Sequence, residues 1–293
     1  MKSGFVTILG RPNVGKSTIL NAIFNKKIAI VTNKSQTTIN SSKFVYNDDD
    51  SQIIFTDTPG IHKSIVKLDE EMNKSAFSTA HECDVMVLVA DASKKPGLGD
   101  EFVLSHTDLS CEHIIVAINK IDLANISEIN EIKEFYKSRL PKASIIEMVA
   151  TDKFNIDQLL SLIKDSLPEG PIYYPTNTNE FGDTIFHIKE TIREKILLIL
   201  RDEIPHCSAV YVQNFEDGKE AVIDATIMVE KESQKPIVIG KSGSMIKKIG
   251  MAVRKDLEKY LNKHVIINLT VKVLEDWRND EKALNKLGYS FKK

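Results

Sequence analysis

Lys16, Ser17 and Thr18 close the stretch Gly10-Arg11-Pro12-Asn13-Val14-Gly15-Lys16-Ser17-Thr18, which directly follows an apolar run, Phe5–Leu9. The spacing is that of the G-x-x-x-x-G-K-[ST] phosphate loop, and it stands between a strand-like and a helix-like segment, as that loop must. Glycines let backbone N–H groups turn inward around phosphate oxygens. The helix that begins at Lys16 adds the positive end of its dipole. The expected phosphate binders are therefore Asn13, Val14, Gly15, Lys16, Ser17 and Thr18. Lys16 would reach the β- and γ-phosphates and the Ser17 hydroxyl would bind Mg²⁺. An ordinary glycine turn is the competing reading, and the flanking strand and helix count against it.

Asp57-Thr58-Pro59-Gly60 follows the apolar Ile53-Ile54-Phe55. A carboxylate at that strand end can hold Mg²⁺ through water, and the Gly60 N–H can approach a γ-phosphate. Asn119-Lys120-Ile121-Asp122 follows Ile114–Ile118. The Asp122 carboxylate can accept two hydrogen bonds from guanine, at N1–H and the 2-amino group, whereas adenine offers neither donor on that edge. A carboxylate left unpaired on binding is costly, so the discrimination should be large. Asn119 would brace the loop, and Lys120 would lie along the base. Alone, Asp-x-x-Gly is a common turn and Asn-Lys-x-Asp a common helix cap; in this order after a phosphate loop they select GTP over ATP.

A second chemistry lies in Ile237-Val238-Ile239-Gly240-Lys241-Ser242-Gly243-Ser244-Met245-Ile246. It resembles the KH core, in which a Gly-x-x-Gly turn clamps the backbone of about four nucleotides. Gly-x-x-Gly by itself is frequent, but an apolar strand-like run precedes this one, a helix follows it and basic residues surround it. Ile239, Gly240, Lys241, Ser242, Gly243, Lys247 and Lys248 are the expected RNA contacts, the lysines reaching phosphates. The competing reading is a solvated charged helix face.

The elements that must position these residues differ between the two halves. In the first, strand-like runs (Lys43–Tyr46, Gln52–Thr56, Asp84–Ala90, His113–Ile118, Ser144–Met148) alternate with helical stretches such as Lys16–Phe24 and Ile126–Ser138, which predicts a doubly wound, mostly parallel α/β sheet. The strand ends would carry Leu9, Asp57, Asn119 and Ala150 to one edge, where such sheets bind ligands. The second half reads as an α+β module: a helix near Thr184–Arg201, a hairpin of Ser208–Phe215 and Glu220–Glu230, helical stretches at Ser244–Lys248 and Ala252–Leu261, and a strand, Val265–Leu274. That order fits the type II KH fold. Prolines, Gly170 and the polar run Thr176–Asn179 predict a linker over 171–183, between a GTPase domain at 1–170 and a KH domain at 184–293.

With 293 residues, 42% of them hydrophobic and 27% charged, the chain reads as a soluble two-domain protein. The net charge of −2 hides an asymmetry: residues 1–175 carry −4 and residues 176–293 carry +2, while residues 235–263 alone carry +6. Cys83, Cys111 and Cys207 lack metal-type spacing and read as reduced thiols of a cytoplasmic protein. No apolar run approaches the roughly 18 residues that span a bilayer.

Together the first-half motifs look like a translation-factor-class GTPase. Gly10–Ser17 with Asp57-Thr58-Pro59-Gly60-Ile61-His62-Lys63 resembles the Era family of bacterial ribosome-assembly GTPases, which join one GTPase domain to a C-terminal KH domain. The resemblance covers nearly the whole chain. It implies that Gln36-Thr37-Thr38 lies in the first switch, with Thr38 as the second hydroxyl on Mg²⁺ and, with Lys16 and Gly60, part of the catalytic set. It implies that the Ala150 N–H meets guanine O6. Two departures stand out. Ile39-Asn40 follows where the family usually has Arg, and Val149-Ala150-Thr151 replaces the usual Ser-Ala-Leu.

Ile61 occupies the place of a water-orienting Gln, which predicts slow hydrolysis without an activator, on the order of 10⁻⁴ to 10⁻³ s⁻¹ or below. His62 reads better as a solvated switch residue than as a base. Asn13 could ligate K⁺ beside the phosphates, as in some related GTPases. The implied partners are GTP and GDP, the 3′ region of small-subunit ribosomal RNA and the 30S subunit, for a monomer in the cytoplasm with at most weak peripheral membrane association. The resulting expectation is a GTP-hydrolysing switch in 30S assembly. The alternative is a constitutive RNA-binding scaffold whose nucleotide site serves only folding; the set Lys16, Ser17, Thr38 and Asp57 speaks against it, since folding requires no γ-phosphate sensor.

Overall fold

The structure, a computed structural model, describes residues 1–32, 38–39, 41–106, 111–176 and 184–289. The chain divides into two compact units, residues 1–65 with 69–181 and residues 66–68 with 182–293. Gln36, Thr37, Asn40 and positions 177–183 of the expected linker lie outside the described residues.

In chain order the first unit holds β1 (Lys2–Gly10), α1 (Lys16–Ile23), β2 (Ser42–Asn47), β3 (Ser51–Asp57), α2 (Lys67–Ala80) from its third residue on, β4 (Val85–Asp91), α3 (Leu98–His106), β5 (His113–Asn119), α4 (Ile126–Arg139), β6 (Ser144–Met148) and α5 (Ile156–Ser166). The sheet runs β2-β3-β1-β4-β5-β6, and every pairing is parallel except β2 with β3. Its central strands are apolar on both faces, the pattern of a sheet covered by helices on each side. Val6 and Ile8 of β1, Val85, Val87 and Val89 of β4, and Ile115 and Ala117 of β5 join one core with Ile19, Leu20, Leu159 and Ile163. The alternate residues Leu9, Met86, Leu88, Val116 and Ile118 join the other, with Ala76, Val103, Ile132 and Tyr136. Each fully buried aliphatic side chain contributes about 1.5–3 kcal/mol to such cores. The α4 periodicity is only partly realised, since Ile132 is buried but Ile126 is 79% exposed.

The second unit holds α6 (Thr184–Ile199), β7 (Ser208–Asp217), β8 (Ala221–Val229), α7 (Lys235–Ile239), α8 (Ser244–Leu261), β9 (Val265–Val273) and α9 (Glu281–Lys286). The sheet order is β7-β8-β9, with β7–β8 antiparallel and β8–β9 parallel. Ile188, Ile192 and Ile196 of α6 and Ile249, Val253 and Leu257 of α8 pack with Ile223, Ala225 and Ile227 of β8 in one core.

Two expectations are corrected here. The strand-like Ile237-Val238-Ile239 is helical: Pro236 sits at the first turn, where its fixed φ suits a helix, and Gln234 Oε1 accepts the N–H groups of Glu230 and Lys231 and so shapes the approach. Only Val238 of that run is buried, as a single turn against the core allows. The two helical stretches at 244–248 and 252–261 are one helix, because Ile249, Val253 and Leu257 recur every four residues across Gly250.

Residues 171–174, at the start of the expected linker, are held to the first unit. Gln52, fully buried on β3, accepts the N–H groups of Tyr173 (2.8 Å) and Tyr174 (2.9 Å) at Oε1 and donates from Nε2 to Tyr174 O. The Tyr173 ring packs on Phe5. Gln52→Leu strands these groups and should destabilise the first unit by about 1–3 kcal/mol. Amide exchange at Tyr173 and Tyr174 should accelerate, while the fluorescence of Trp277, buried in the second unit, should not change.

Candidate functional site

The carboxyl edge of the parallel sheet gathers the three motifs. The loop after β1 turns through Asn13 at φ 64° and Gly15 at φ 104°, and Gly15 opens α1 with no side-chain cap. The first-turn N–H groups of α1 thus face the hollow of the loop rather than a side chain of the chain itself. Lys16 closes that hollow. Its Nζ donates to Gly10 O and Arg11 O, both at 3.0 Å. The side chain is buried, and burial pushes the ammonium down to about 8, against the opposing pull of the Asp57 carboxylate.

Asp57, at the end of β3, meets two hydroxyls from separate segments. Ser17 Oγ donates to Asp57 Oδ2 at 3.0 Å and Thr38 Oγ1 donates to the same oxygen at 3.2 Å, with the hydroxyls 3.3 Å apart. Three oxygen donors suit a hard divalent cation such as Mg²⁺. Among the described residues no group of three or more His, Cys, Asp or Glu could hold a metal alone, so the fit is to a cation shared with phosphate oxygens. The next turn lies tight on the phosphate loop: Thr58 Oγ1 donates to Ile8 O at 2.6 Å and the Ile61 N–H donates to Gly10 O at 3.1 Å. A Cβ on Gly60 would come within 2.7 Å of the Pro12 backbone, so only glycine allows this approach. The Ile61 side chain is fully buried among Leu9, Met86 and Leu88 and orients no water. His62 is built into its own loop, with Nδ1 3.0 Å from Lys63 O and its carbonyl bonded by Asn73.

On the other side of the loop, Asn119 ends β5 and is buried. Its Nδ2 donates to Val14 O at 2.9 Å and its Oδ1 accepts the Ala150 N–H at 3.0 Å. Asn119 therefore braces the phosphate loop as expected. The Ala150 N–H, expected at guanine O6, donates to Asn119 where the loop after β6 folds back onto that buried amide. Lys120, at φ 65°, donates from Nζ to Asn13 O and to Asp91 Oδ2, both at 2.7 Å. Asp122 is exposed in the short turn Ile121–Leu123. Thr18 lies half-buried in the first turn of α1.

Two contributors were missed at the level of sequence. Asp91 ends β4, is 3% exposed, and accepts Ser93 N–H and Oγ besides the Lys120 ammonium. Burial alone would raise its carboxyl, but the bonds from Lys120 and Ser93 outweigh burial and hold it below its ordinary value. A lone carboxylate ending an apolar strand at the ligand edge was the available signal. Arg11, within the phosphate loop, pairs through Nε with the buried Asp100 Oδ1 at 2.9 Å, and the Tyr136 hydroxyl donates to the same oxygen.

In the second unit, Gly240 (φ 76°), Ser242 (φ 51°) and Gly243 (φ 78°) form a left-handed turn between α7 and α8. A Cβ on Gly240 would lie 2.6 Å from Met245 N and Cβ, so glycine lets the turn close on α8. Lys241 and Ser242 are exposed at its tip, Ile239 is half-buried behind it, and Lys247 and Lys248 project from the first turns of α8. Between α8 and β9 runs a groove of about 400 Å³, lined by Ile246, Lys247, Met251, Arg254, His264 and Ile266. It has an apolar floor and a cationic rim, suited to flat apolar faces strung on an anionic backbone. Arg254 was within the basic cluster; the β9 wall becomes visible only in three dimensions.

A family model described as 50S ribosome-binding GTPase matches residues 5–120, and a KH domain model matches residues 203–278. The chain is 41% identical over 292 residues to GTPase Era of Lacticaseibacillus paracasei, with 99% of this chain and 97% of that one covered. It is likewise 41% identical over 292 residues to GTPase Era of Geobacter metallireducens, covering 99% and 98%. Among solved structures, Era in complex with MgGDPNP and nucleotides 1506–1542 of 16S ribosomal RNA matches with a TM-score of 0.94 and 34% identity, over 99% of this chain and all of that one.

The geometry carries two expectations. Phosphate beside Lys16 favours its charged form, so above pH about 8 binding must take up a proton. GDP affinity should then fall by up to tenfold per pH unit, with buffer-dependent heats in calorimetry; a flat affinity from about pH 7 to 9 would contradict this. Asp91→Ala should weaken GDP and GTP binding alike, by about tenfold. Asp91→Asn, which keeps an acceptor for Lys120, should restore most of it in the same titration.

Proposed function

The chain belongs to the GTPase Era family and is a GTPase; on that premise we propose that it is a GTP-driven switch which binds small-subunit ribosomal RNA through its KH domain and assists assembly of the 30S subunit. The observation that carries the reading is the convergence of Ser17, Thr38 and Asp57. Thr38 lies on a different segment from the other two, so a ligand drawing the three oxygens together also draws that segment in. Such a site distinguishes a triphosphate from a diphosphate, which a purely structural nucleotide site has no need to do.

In this reading Asn13, Val14, Gly15, Lys16, Ser17 and Thr18 hold the phosphates. Asn119 and Lys120 shape the base pocket and Asp122 reads guanine. Mg²⁺, present in the Era complex with MgGDPNP, would be held by Ser17, Thr38 and Asp57 and would supply charge neutralisation at the phosphates. Lys16 stabilises negative charge on the transferred phosphoryl group, and the Gly60 N–H faces it. Ile61 is buried in the core and leaves the attacking water without a side chain of its own at that position, which supports slow hydrolysis until a partner acts. K⁺ beside Asn13 belongs to the same proposal, supported by the left-handed loop position that this residue takes.

For RNA, the Gly240–Gly243 turn clamps the strand, Lys241, Lys247 and Lys248 meet phosphates, and the α8–β9 groove receives bases. The nucleotides 1506–1542 bound by the related Era support a target in the 3′ region of the small-subunit RNA. The protein would act as a cytoplasmic monomer, with at most weak contact at the inner membrane face; no helix among the described residues is long and apolar enough to cross a membrane.

The test is RNA binding by the full chain with GDP, with a non-hydrolysable GTP analogue and without nucleotide. A switch gives different RNA affinities in the first two states; equal affinities indicate a constitutive scaffold instead. The double variant Lys241→Asp and Ser242→Asp should lose RNA affinity by at least about tenfold and keep GTP binding, which separates failure of the KH site from failure of the nucleotide site.

A further inference from the structure

The end of the sheet opposite the nucleotide loops holds two thiols that neither site uses. Cys83 stands just before β4 and Cys111 just before β5. Cys83 lies two residues before Val85 and Cys111 two before His113, the first pair of the parallel β4–β5 register, so extending that register sets the two cysteines opposite each other. Neighbouring parallel strands lie about 4.8 Å apart, within the roughly 4.4–6.8 Å between Cα atoms that a disulfide spans. Cys111 Sγ donates to Cys83 O at 3.7 Å and to Asp84 O at 3.6 Å, and the Cys83 thiol donates to Ala80 O at 3.3 Å. Both residues are half-buried, open to a small solute, whereas Cys207 is buried in the second unit.

We propose that Cys83 and Cys111 form an oxidative modification site, in which a peroxide converts the two thiols into an intramolecular disulfide. Cys111 is the attacking sulfur: the neighbouring Cys83 side chain draws it down to about 7, into the range where thiolate is present at neutral pH. Its thiolate attacks one peroxide oxygen, the O–O bond breaks, and the departing oxygen takes a proton to leave as water, giving a sulfenic acid. The Cys83 sulfur then attacks Cys111 Sγ and loses its proton as the S–O bond breaks and a second water leaves. The two thiols together give up two electrons and two protons, and one hydrogen peroxide becomes two waters. Cys83 is the resolving residue because the neighbouring Cys111 side chain and burial raise its thiol and hold its own proton in place until the sulfenic acid forms.

The reduced pair is the resting state, and the bond joins the lead-in residues of β4 and β5, whose register is already fixed. The nucleotide loops lie at the other ends of these strands, so the oxidised chain keeps its GDP affinity.

The test uses the full chain loaded with GDP and Mg²⁺ and treated with a small excess of hydrogen peroxide. The three thiols of the sequence should fall to one, counted after denaturation. The intact mass should drop by two hydrogens, and peptide mapping should find Cys83 linked to Cys111 in a bond that dithiothreitol reverses. Cys83→Ser should abolish the link and leave a sulfenic acid at Cys111 that dimedone traps, and Cys111→Ser should abolish both. Three persisting thiols, a disulfide between chains, or sulfinic acid at Cys111 with no linked peptide would each overturn the proposal.

Discussion

A buried ammonium must be given acceptors, and the way Lys16 finds them sets the geometry of the first unit's working edge. Its Nζ is bonded to the carbonyls of Gly10 and Arg11, so the loop that leaves β1 is folded around the side chain that starts α1. Carbonyl oxygens neutralise the cation only partly, which is why burial still depresses it to about 8. A phosphate in the same hollow offers full negative charge and can take their place. The loop thus holds its shape through bonds weaker than those the chemistry of Lys16 suits, a form of preorganisation.

Everything else at that edge holds this loop in place from a different direction. Asn119 ties Val14 to the loop after β6, and Lys120 ties Asn13 to Asp91. Arg11 is tied to Asp100, which also receives Tyr136, and the Ile61 N–H reaches Gly10 O. Five strand ends therefore converge on one nine-residue stretch. The loops that follow β1, β4, β5 and β6 share these bonds, so a change in one of them is felt in the others. The Ala150 N–H belongs to the same network through its bond to Asn119 Oδ1.

The reach of the sequence follows from what kind of physics each feature obeys. Motifs whose chemistry is local were legible: Gly10–Thr18, Asp57–Gly60 and Asn119–Asp122 all lie at the strand ends where their order predicted them. Parallel strands buried on both faces were legible from their continuous apolar runs. Position in a sheet is non-local, so the union of Asp91 with Lys120, 29 residues apart, could not be read from either residue. Propensity misled at Ile237-Val238-Ile239, where three β-branched residues sit in a helical turn fixed by Pro236, Gln234 and the burial of Val238 alone. It misled again at Gly250, where tertiary packing carries α8 through a residue that weakens an isolated helix.

The second unit shows why charge must be read where it sits. A total of +2 over residues 176–293 describes no nucleic-acid binder, yet the turn at Gly240–Gly243 and the helix after it concentrate cations along one rim. Part of the nominal +6 over residues 235–263 is compensated from outside the stretch, where Lys263 pairs with Asp217; the pairing of Arg254 with Glu258 is already contained in that sum. Lys241, Lys247 and Lys248 stand exposed beside the glycine turn, where a backbone can pass closest to the chain. Screening limits an exposed charge to about 8–10 Å at ordinary ionic strength, so distance from the turn, not the sum over the domain, decides which cations a bound strand feels. The α8–β9 groove begins at Ile246 and Lys247, one helical turn from Gly243, so in the proposed reading a strand clamped at the glycines would be led with its bases toward the apolar floor.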